Sequence, residues 1–182
     1  MNIRSSTTTL KTGMDVILRW DEAAVTAVAR LERRAIRTVM RSLTRAGDTP
    51  GWIIHGLVLL GLLQIEPTVL LVMGGAAVLA TVTSQLAKRT FRRSRPTAAI
   101  VGFRARIADP DPFSFPSGHS TVAFAIATAA VATNPVLGGV ETMLAALIAT
   151  SRIYLGAHYP VDVLAGIVLG VACGLMSWGI LG

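Results

Sequence analysis

Residues 68–87 read TVLLVMGGAAVLATVTSQLA, twenty positions without one charged side chain. At about 1.5 Å rise per residue a helix of that length spans about 30 Å, the thickness of a bilayer's hydrocarbon core. A helix half-buried on a soluble protein would carry charge along one face. This segment therefore reads as a membrane span.

Four further apolar segments flank it. Gly51 to Ile65 comes before, short for a span, and Glu66-Pro67 turns the chain between the two. Ser117 to Thr133 follows and stops at Asn134-Pro135. Next comes about Val136 to Leu155, with Glu141 near its start. The last runs from Val161 to Gly182, with Asp162 in its first turn. The expectation is an all-α polytopic membrane bundle of five transmembrane spans over residues 49–182.

Upstream the pattern changes. Residues 1–12 are polar, rich in Ser and Thr, and expected to be mobile; no apolar core follows that would make them a secretory signal. Over residues 13–44, Val25, Val28, Leu31, Ala35, Val39 and Leu43 recur at helical steps. Arg30, Arg33 or Arg34, Arg37 and Arg41 recur on the other side. A helix with one apolar and one arginine face belongs flat at the membrane surface, the alternative being a soluble helix packed on its own protein. Gly47, Asp48 and Pro50 end this region, with Asp48 placed to cap the next helix. Residues 1–48 thus form an N-terminal interfacial unit, and residues 49–182 the membrane domain.

Composition agrees with this division. The 182 residues are 52% hydrophobic and 15% charged, and beyond Thr49 every Lys and Arg except Arg152 lies between Lys88 and Arg106. Such a distribution excludes disorder, a disulfide scaffold and an ordinary soluble enzyme. The single cysteine, Cys173, has no intramolecular partner. A net charge of +7 fits anionic membrane lipids. It does not point to nucleic acid, because aromatic interleaving and a recognition helix are both missing. Gly166, Gly170 and Gly174 form a smooth stripe on the last segment, and Ala123, Ala127 and Ala130 a similar one on the third. These are either packing faces within the monomer or contacts of a homo-oligomer. Trp52 and Trp178 fall near opposite membrane edges.

Alternating spans bring three polar clusters to one edge. They are Lys88-Arg89-Thr90-Phe91-Arg92-Arg93-Ser94-Arg95-Pro96, Phe115-Pro116-Ser117-Gly118-His119-Ser120, and Ser151-Arg152 through His158-Tyr159-Pro160-Val161-Asp162. Each has an ordinary reading: a juxtamembrane basic patch, a helix start capped by Ser117, a snorkelling Arg152, an Asp162 favoured by a helix N-terminus. None of these explains why two histidines, at least three cations and a carboxylate meet at the mouth of one bundle, where polar groups are costly unless used. All 17 Lys and Arg lie on that face or at its rim, which by the positive-inside rule is cytoplasmic. A phosphate site needs cations wherever it faces, so a periplasmic site is the alternative.

The spacing of these clusters resembles the signature of the type 2 phosphatidic acid phosphatase superfamily, shared with glucose-6-phosphatase and the vanadium haloperoxidases. Here it reads Lys88, six residues, Arg95-Pro96; Pro116-Ser117-Gly118-His119; then Ser151-Arg152, five residues, His158, three residues, Asp162. One departure is that membrane members commonly have six spans, whereas the arginine-faced helix stands here in place of the first. The residue types suit a phosphate monoester. Lys88, Arg95 and Arg152 supply positive charge, Ser117 a hydrogen bond, and Gly118 a backbone the anion can approach at a helix N-terminus. His119 and His158 divide the roles of nucleophile and leaving-group acid. Asp162, four residues beyond His158, lies within reach of one of its ring nitrogens. The resemblance implies that His158 is the nucleophile and His119 the acid and base.

The resulting expectation is a metal-independent lipid phosphatase with no cofactor, working through phosphohistidine. Asp109 and Asp111, spaced by Pro110, read as a stiff acidic loop rather than metal ligands, and His55 as structural. Arg89, Arg92 and Arg93 either grip the head group or meet lipid phosphates. The small size and surface helix resemble bacterial members acting on polyprenyl-linked phosphoribose, such as decaprenylphosphoryl-5-phosphoribose. The expected setting is the inner membrane of a bacterium, the source of the small family members that this chain resembles. Undecaprenyl diphosphate, phosphatidylglycerol phosphate and phosphatidic acid are the alternative substrates. A non-enzymatic scaffold or transporter would explain the spans but not the spaced Lys, Arg, His and Asp set.

Overall fold

Prolines set where the helices begin. In the computed structural model, which describes residues 3–31, 33–108 and 111–182, Pro50, Pro67, Pro96, Pro135 and Pro160 each stand in the first two positions of a helix. A proline there loses no bond, because the first helical N–H groups have no intrahelical acceptor. The helices are α1 (Ile3–Arg30), α2 (Arg34–Ala46), α3 (Thr49–Gly61), α4 (Pro67–Phe91), α5 (Pro96–Ala99), α6 (Gly118–Thr133), α7 (Pro135–Tyr154) and α8 (Pro160–Leu181). Among the described residues, strand-like pairing is confined to an isolated antiparallel bridge between Ser94 and Phe113.

α4, α7 and α8 are long and apolar enough to cross a membrane, at 25, 20 and 22 residues. α3 and α6 are apolar but shorter, at 13 and 16 residues. At about 1.5 Å per residue, α3 reaches only ~20 Å. Its end differs from expectation: the helix stops at Gly61, not Ile65. The Leu63 N–H closes on Val58 O at 3.1 Å and the Ile65 N–H on Leu59 O at 2.9 Å, around a left-handed Gln64. The outer faces are apolar and open, with Val78 66% and Val168 71% exposed, a surface suited to lipid rather than water.

α6 lies at the centre, packed by α4, α7 and α8. Small residues let the backbones meet. A Cβ added to Gly166 would come within 2.7 Å of Ser117 O, and one on Gly174 within 2.6 Å of Ala125 O. On α6, Ala123 and Ala127 are buried in a cluster with Ala145 and Ile148 of α7, and Ala130 in the core that α6 shares with α4 and α8. Both small-residue stripes are therefore used inside the monomer. Ser177 Oγ donates to Val72 O at 2.8 Å and joins α8 to α4.

The N-terminal region departs from the expected single helix over 13–44. α1 already begins at Ile3, within the polar stretch, and it ends at Arg30, with a second helix, α2, starting at Arg34. The apolar line is divided with it: Val25 is buried, whereas Leu31 and Val39 are exposed. α2 packs on α7, and α1 touches both α7 and α8. Two helices therefore lean on the bundle where one surface helix was expected.

Candidate active site

The C-terminal ends of α4 and α7 and the N-terminal ends of α6 and α8 share one end of the bundle, which brings the three clusters together. Lys88 occupies the last turn of α4. Arg92, left-handed with φ 48°, turns the chain out of that helix, and Arg95 precedes α5. Ser117 caps α6. Arg152 lies in the last turn of α7, and Gly156 (φ 72°) turns the chain toward His158; a Cβ there would strike the Phe103 ring at 2.7 Å.

His158 is 1% exposed. Its Nδ1 lies 2.7 Å from the Ser114 carbonyl oxygen. A carbonyl can only accept, so Nδ1 carries the proton and Nε2 presents its lone pair. Arg95 Nη1 stands 3.2 Å from that Nε2 and donates to Ala157 O at 2.8 Å. The expected carboxylate is present in a different relation. Asp162 Oδ2 is 3.7 Å from Nδ1, at ion-pair distance, while the hydrogen bond belongs to Ser114. The cause is local: Asp162, in the first turn of α8, folds back to accept the Tyr159 N–H at 2.9 Å.

Behind His158, Arg93 Nη1 donates to Asp162 Oδ1 at 2.6 Å, and Arg93 Nη2 to Asp21 Oδ2 of α1, also at 2.6 Å. Burial alone would lower the Arg93 pKa, but Asp162 and Asp21 outweigh it and hold the guanidinium above the usual arginine range.

Lys88 and Arg95 meet over Asp111. The Lys88 ammonium bonds the Asp111 carboxylate directly and Phe113 O at 3.3 Å. Arg95 Nε donates to Asp111 O at 2.6 Å. Burial would raise the Asp111 pKa, but hydrogen bonds from Lys88 and the Phe113 N–H, with the charges of Lys88 and Arg95, bring it below the ordinary carboxylate range. Asp109 lies outside the described residues.

His119 faces the same space from α6. Its Nε2 is 2.8 Å from Asp48 Oδ1. Asp48 does stand at the N-cap of α3, as its position implied, but its side chain makes no capping bond and serves His119 instead. Arg152 is buried and donates from Nη1 to Thr44 Oγ1 of α2 at 2.6 Å. The Ser117 hydroxyl is turned along its own helix, accepting from Ser120 Oγ at 3.0 Å.

Lys88, Arg95, Gly118, His119 and His158 line one cavity of about 780 Å³. Ser117, Arg152 and Asp162 are buried and do not line it. Over Gly118 the nearest atoms to an added Cβ are Lys88 Cε and Ser84 Oγ, both at 3.9 Å, so the α6 N-terminus is open to the cavity. The cavity's other end is apolar, formed by Trp52 and Ile53 of α3 and Ala77, Val78 and Val82 of α4. Cations, a helix N-terminus and two imidazoles at one end suit a phosphoryl group, and the apolar end suits a hydrocarbon chain.

Asp21, Thr44 and Ser114 escaped the sequence reading, Asp48 was read only as a helix cap, and Arg93 as gripping the head group or meeting lipid phosphates. Only Asp48, beside a helix start, carried a local signal. The others meet their partners across 44 to 108 positions of sequence.

Comparison with known proteins agrees with this geometry. A decaprenylphosphoryl-5-phosphoribose phosphatase of Mycobacterium tuberculosis is 34% identical over 163 residues, which cover 86% of this chain and 88% of that protein. LpxE of Aquifex aeolicus superposes with a TM-score of 0.71 at 25% identity, over 84% of this chain and 91% of that one. The transmembrane PAP2-type phosphatidylglycerolphosphate phosphatase of Bacillus subtilis gives 0.69 at 27% identity, over 91% and 86%. The PAP2 superfamily model matches residues 69–182, every predicted site residue included, and with that match over most of its length the chain belongs to the PAP2 superfamily of phosphatases.

Proposed function

We propose that this chain removes the terminal phosphate of a polyprenyl-linked sugar phosphate, of the decaprenylphosphoryl-5-phosphoribose class, through a phosphohistidine on His158. The observation that carries the reading is the single cavity in which His158, His119, Lys88 and Arg95 face an apolar groove between α3 and α4. A lipid tail can lie in that groove while its head group reaches the cations. The similarity to a phosphatase of this substrate class, over most of both chains, supports the choice of lipid.

Two displacements complete the cycle. His158 Nε2 attacks phosphorus; the P–N bond forms as the P–O bond to the sugar breaks, and His119 gives a proton to the departing oxygen. With Nε2 held by Asp48, the doubly protonated ring is stabilised and Nδ1 delivers that proton. Water then attacks phosphohistidine, His119 takes its proton, the P–N bond breaks and inorganic phosphate leaves. The Ser114 carbonyl fixes the proton of His158 on Nδ1, and Asp162 offsets the charge the ring gains. Lys88, Arg95 and the α6 N-terminus stabilise the equatorial oxygens, and Arg152 adds positive potential from its buried position. The chain's own cations neutralise the phosphoryl group, so the scheme uses no metal ion.

In this reading α3, α4, α6, α7 and α8 are the five spans, with α3 and α6 in a locally thinned bilayer. Residues 49–182 carry the chemistry, residues 1–48 lie at the interface, and the site faces the cytoplasm of a bacterial inner membrane. The test is phosphate release in liposomes with EDTA present. Its substrates are decaprenylphosphoryl-5-phosphoribose, undecaprenyl diphosphate, phosphatidylglycerol phosphate and phosphatidic acid, with His158→Ala beside each. Preference for the first with a silent variant supports the proposal. Preference for another substrate overturns the lipid assignment, and an active variant overturns the nucleophile.

A further inference from the structure

Arg93 stands inside the basic cluster between Lys88 and Arg95, yet its side chain turns away from the cavity. Its guanidinium forks between two carboxylates, Nη1 on Asp162 and Nη2 on Asp21, each at 2.6 Å. It lies over the Tyr159 ring, 4.1 Å from the centroid. Its backbone carbonyl accepts the Ser114 N–H at 2.8 Å, and the Ser114 carbonyl in turn holds His158 Nδ1. Both oxygens that face Nδ1, one from Ser114 and one from Asp162, are thus tied to this single residue. Asp21 completes the arrangement. Only 2% exposed, it accepts the Val161 N–H of α8 through Oδ1 at 3.0 Å while Oδ2 holds Arg93. α1 therefore satisfies an orphan donor at the start of the helix that carries Asp162.

We propose that Arg93 and Asp21 are positioning residues for the nucleophile, and that α1 is by this contact a working part of the catalytic centre. The inference rests on the reading of His158 as nucleophile. Neither residue lines the cavity, so neither meets the substrate. Two buried carboxylates share one guanidinium, leaving one net negative charge beside an imidazole that becomes positive on phosphorylation. Without the Arg93 side chain, Asp162 keeps the Tyr159 N–H on Oδ2 but loses the guanidinium that fixes Oδ1, while the main-chain bond to Ser114 persists. Without the Asp21 charge, Arg93 keeps one partner and is free to rotate from Asp162. A head-group contact by Arg93 would instead express itself as substrate affinity.

The experiment measures kcat and KM for phosphate release by Asp21→Asn, Arg93→Lys, Arg93→Ala and His158→Ala in one detergent, with gel filtration and thermal melting alongside. Misplacing a reacting group by about 1 Å costs up to about a hundredfold, so kcat is expected to fall about tenfold in Asp21→Asn and further in Arg93→Ala. KM stays within about twofold, and Arg93→Lys lies between wild type and Arg93→Ala. Asp21→Asn keeps an acceptor for the Val161 N–H and decides the matter even where Arg93→Ala does not fold. A raised KM at constant kcat would make Arg93 a substrate contact and overturn the proposal; so would an unchanged kcat in Asp21→Asn. An active His158→Ala, read from its own arm, overturns the nucleophile and this inference with it.

Discussion

His119 Nε2 lies 2.8 Å from Asp48 Oδ1, joining the first turn of α6 to the residue that opens α3. A carboxylate in that position favours the doubly protonated ring, the form with a proton to give a leaving alkoxide. Asp48→Asn is expected to slow hydrolysis of a lipid phosphate about tenfold to a hundredfold, the range of a general-acid contribution being about 10²–10⁴. An activated ester such as p-nitrophenyl phosphate leaves without a proton and is expected to lose little. Comparing kcat for the two substrates checks this; equal losses refute it.

The two histidines separate in a trapping experiment. With labelled substrate and an acid-free quench, His119→Ala is expected to accumulate phosphoenzyme and His158→Ala to show none. Peptide mapping places the label. Phosphate recovered on His119 in the wild-type protein reverses the assignment.

Asp111 rests on the ammonium that a substrate phosphate needs, so it competes with substrate. Asp111→Asn is expected to lower KM several-fold and to lower the melting temperature slightly. The sign with pH follows from the depressed pKa of Asp111. The stabilising contribution is complete above the ordinary carboxylate value of about 4 and is lost as pH falls through the lower folded value. The melting difference between wild type and variant is therefore constant from pH 7 to about 5 and shrinks only below about 4. A difference that vanishes near pH 6 contradicts this.

His55 and Glu141 form a pair at 2.7 Å, and neither lines the cavity that holds the other histidines, His55 lying behind the Trp52 ring of its wall. Glu141 is 1% exposed. Removing one partner leaves a buried charge, worth about 3 kcal/mol of stability. His55→Ala is expected to lower the melting temperature while the folded fraction keeps its kcat. Adding Glu141→Gln is expected to restore much of the loss. A fall in kcat without a change in melting would give His55 a chemical role.

Orientation is accessible to labelling. Thr97, exposed in α5, and Asn134, between α6 and α7, stand at the two opposite ends of the bundle. With a site facing the cytoplasm, a cysteine at 134 reacts with a membrane-impermeant reagent in intact cells and one at 97 does not. The reverse pattern places the site outside.

Much of this molecule could be read from the chain alone, for physical reasons that differ by region. α4, α7 and α8 begin at Pro67, Pro135 and Pro160, within one residue of the expected starts, because proline ends ambiguity about the first turn. Lys88, Arg95, His119 and His158 were legible because each sits at a span end whose side of the membrane follows from counting spans. The inward turn of Arg93 was not legible. It depends on the left-handed Arg92 before it and on Asp21, 72 positions earlier, and charge alone does not say which way an arginine points. The division into α1, ending at Arg30, and α2, starting at Arg34, was hidden by a periodic pattern that runs across both. The early end of α3 was hidden by an apolar stretch that continues past its last turn.

The backbone contact between α8 and α6 has one further consequence. Ser117 N–H bonds Asp162 O at 2.9 Å, and below it Gly166, Gly170 and Gly174 press the two helices together along three turns. The interval between the His158 and His119 imidazoles is thus gauged by main chain, not by the side chains that surround it. A methyl group wedged in at Gly166 or Gly170 would open that interval like a shim between two plates, which in the proposed mechanism misaligns attack and departure while leaving every side chain of the site in place.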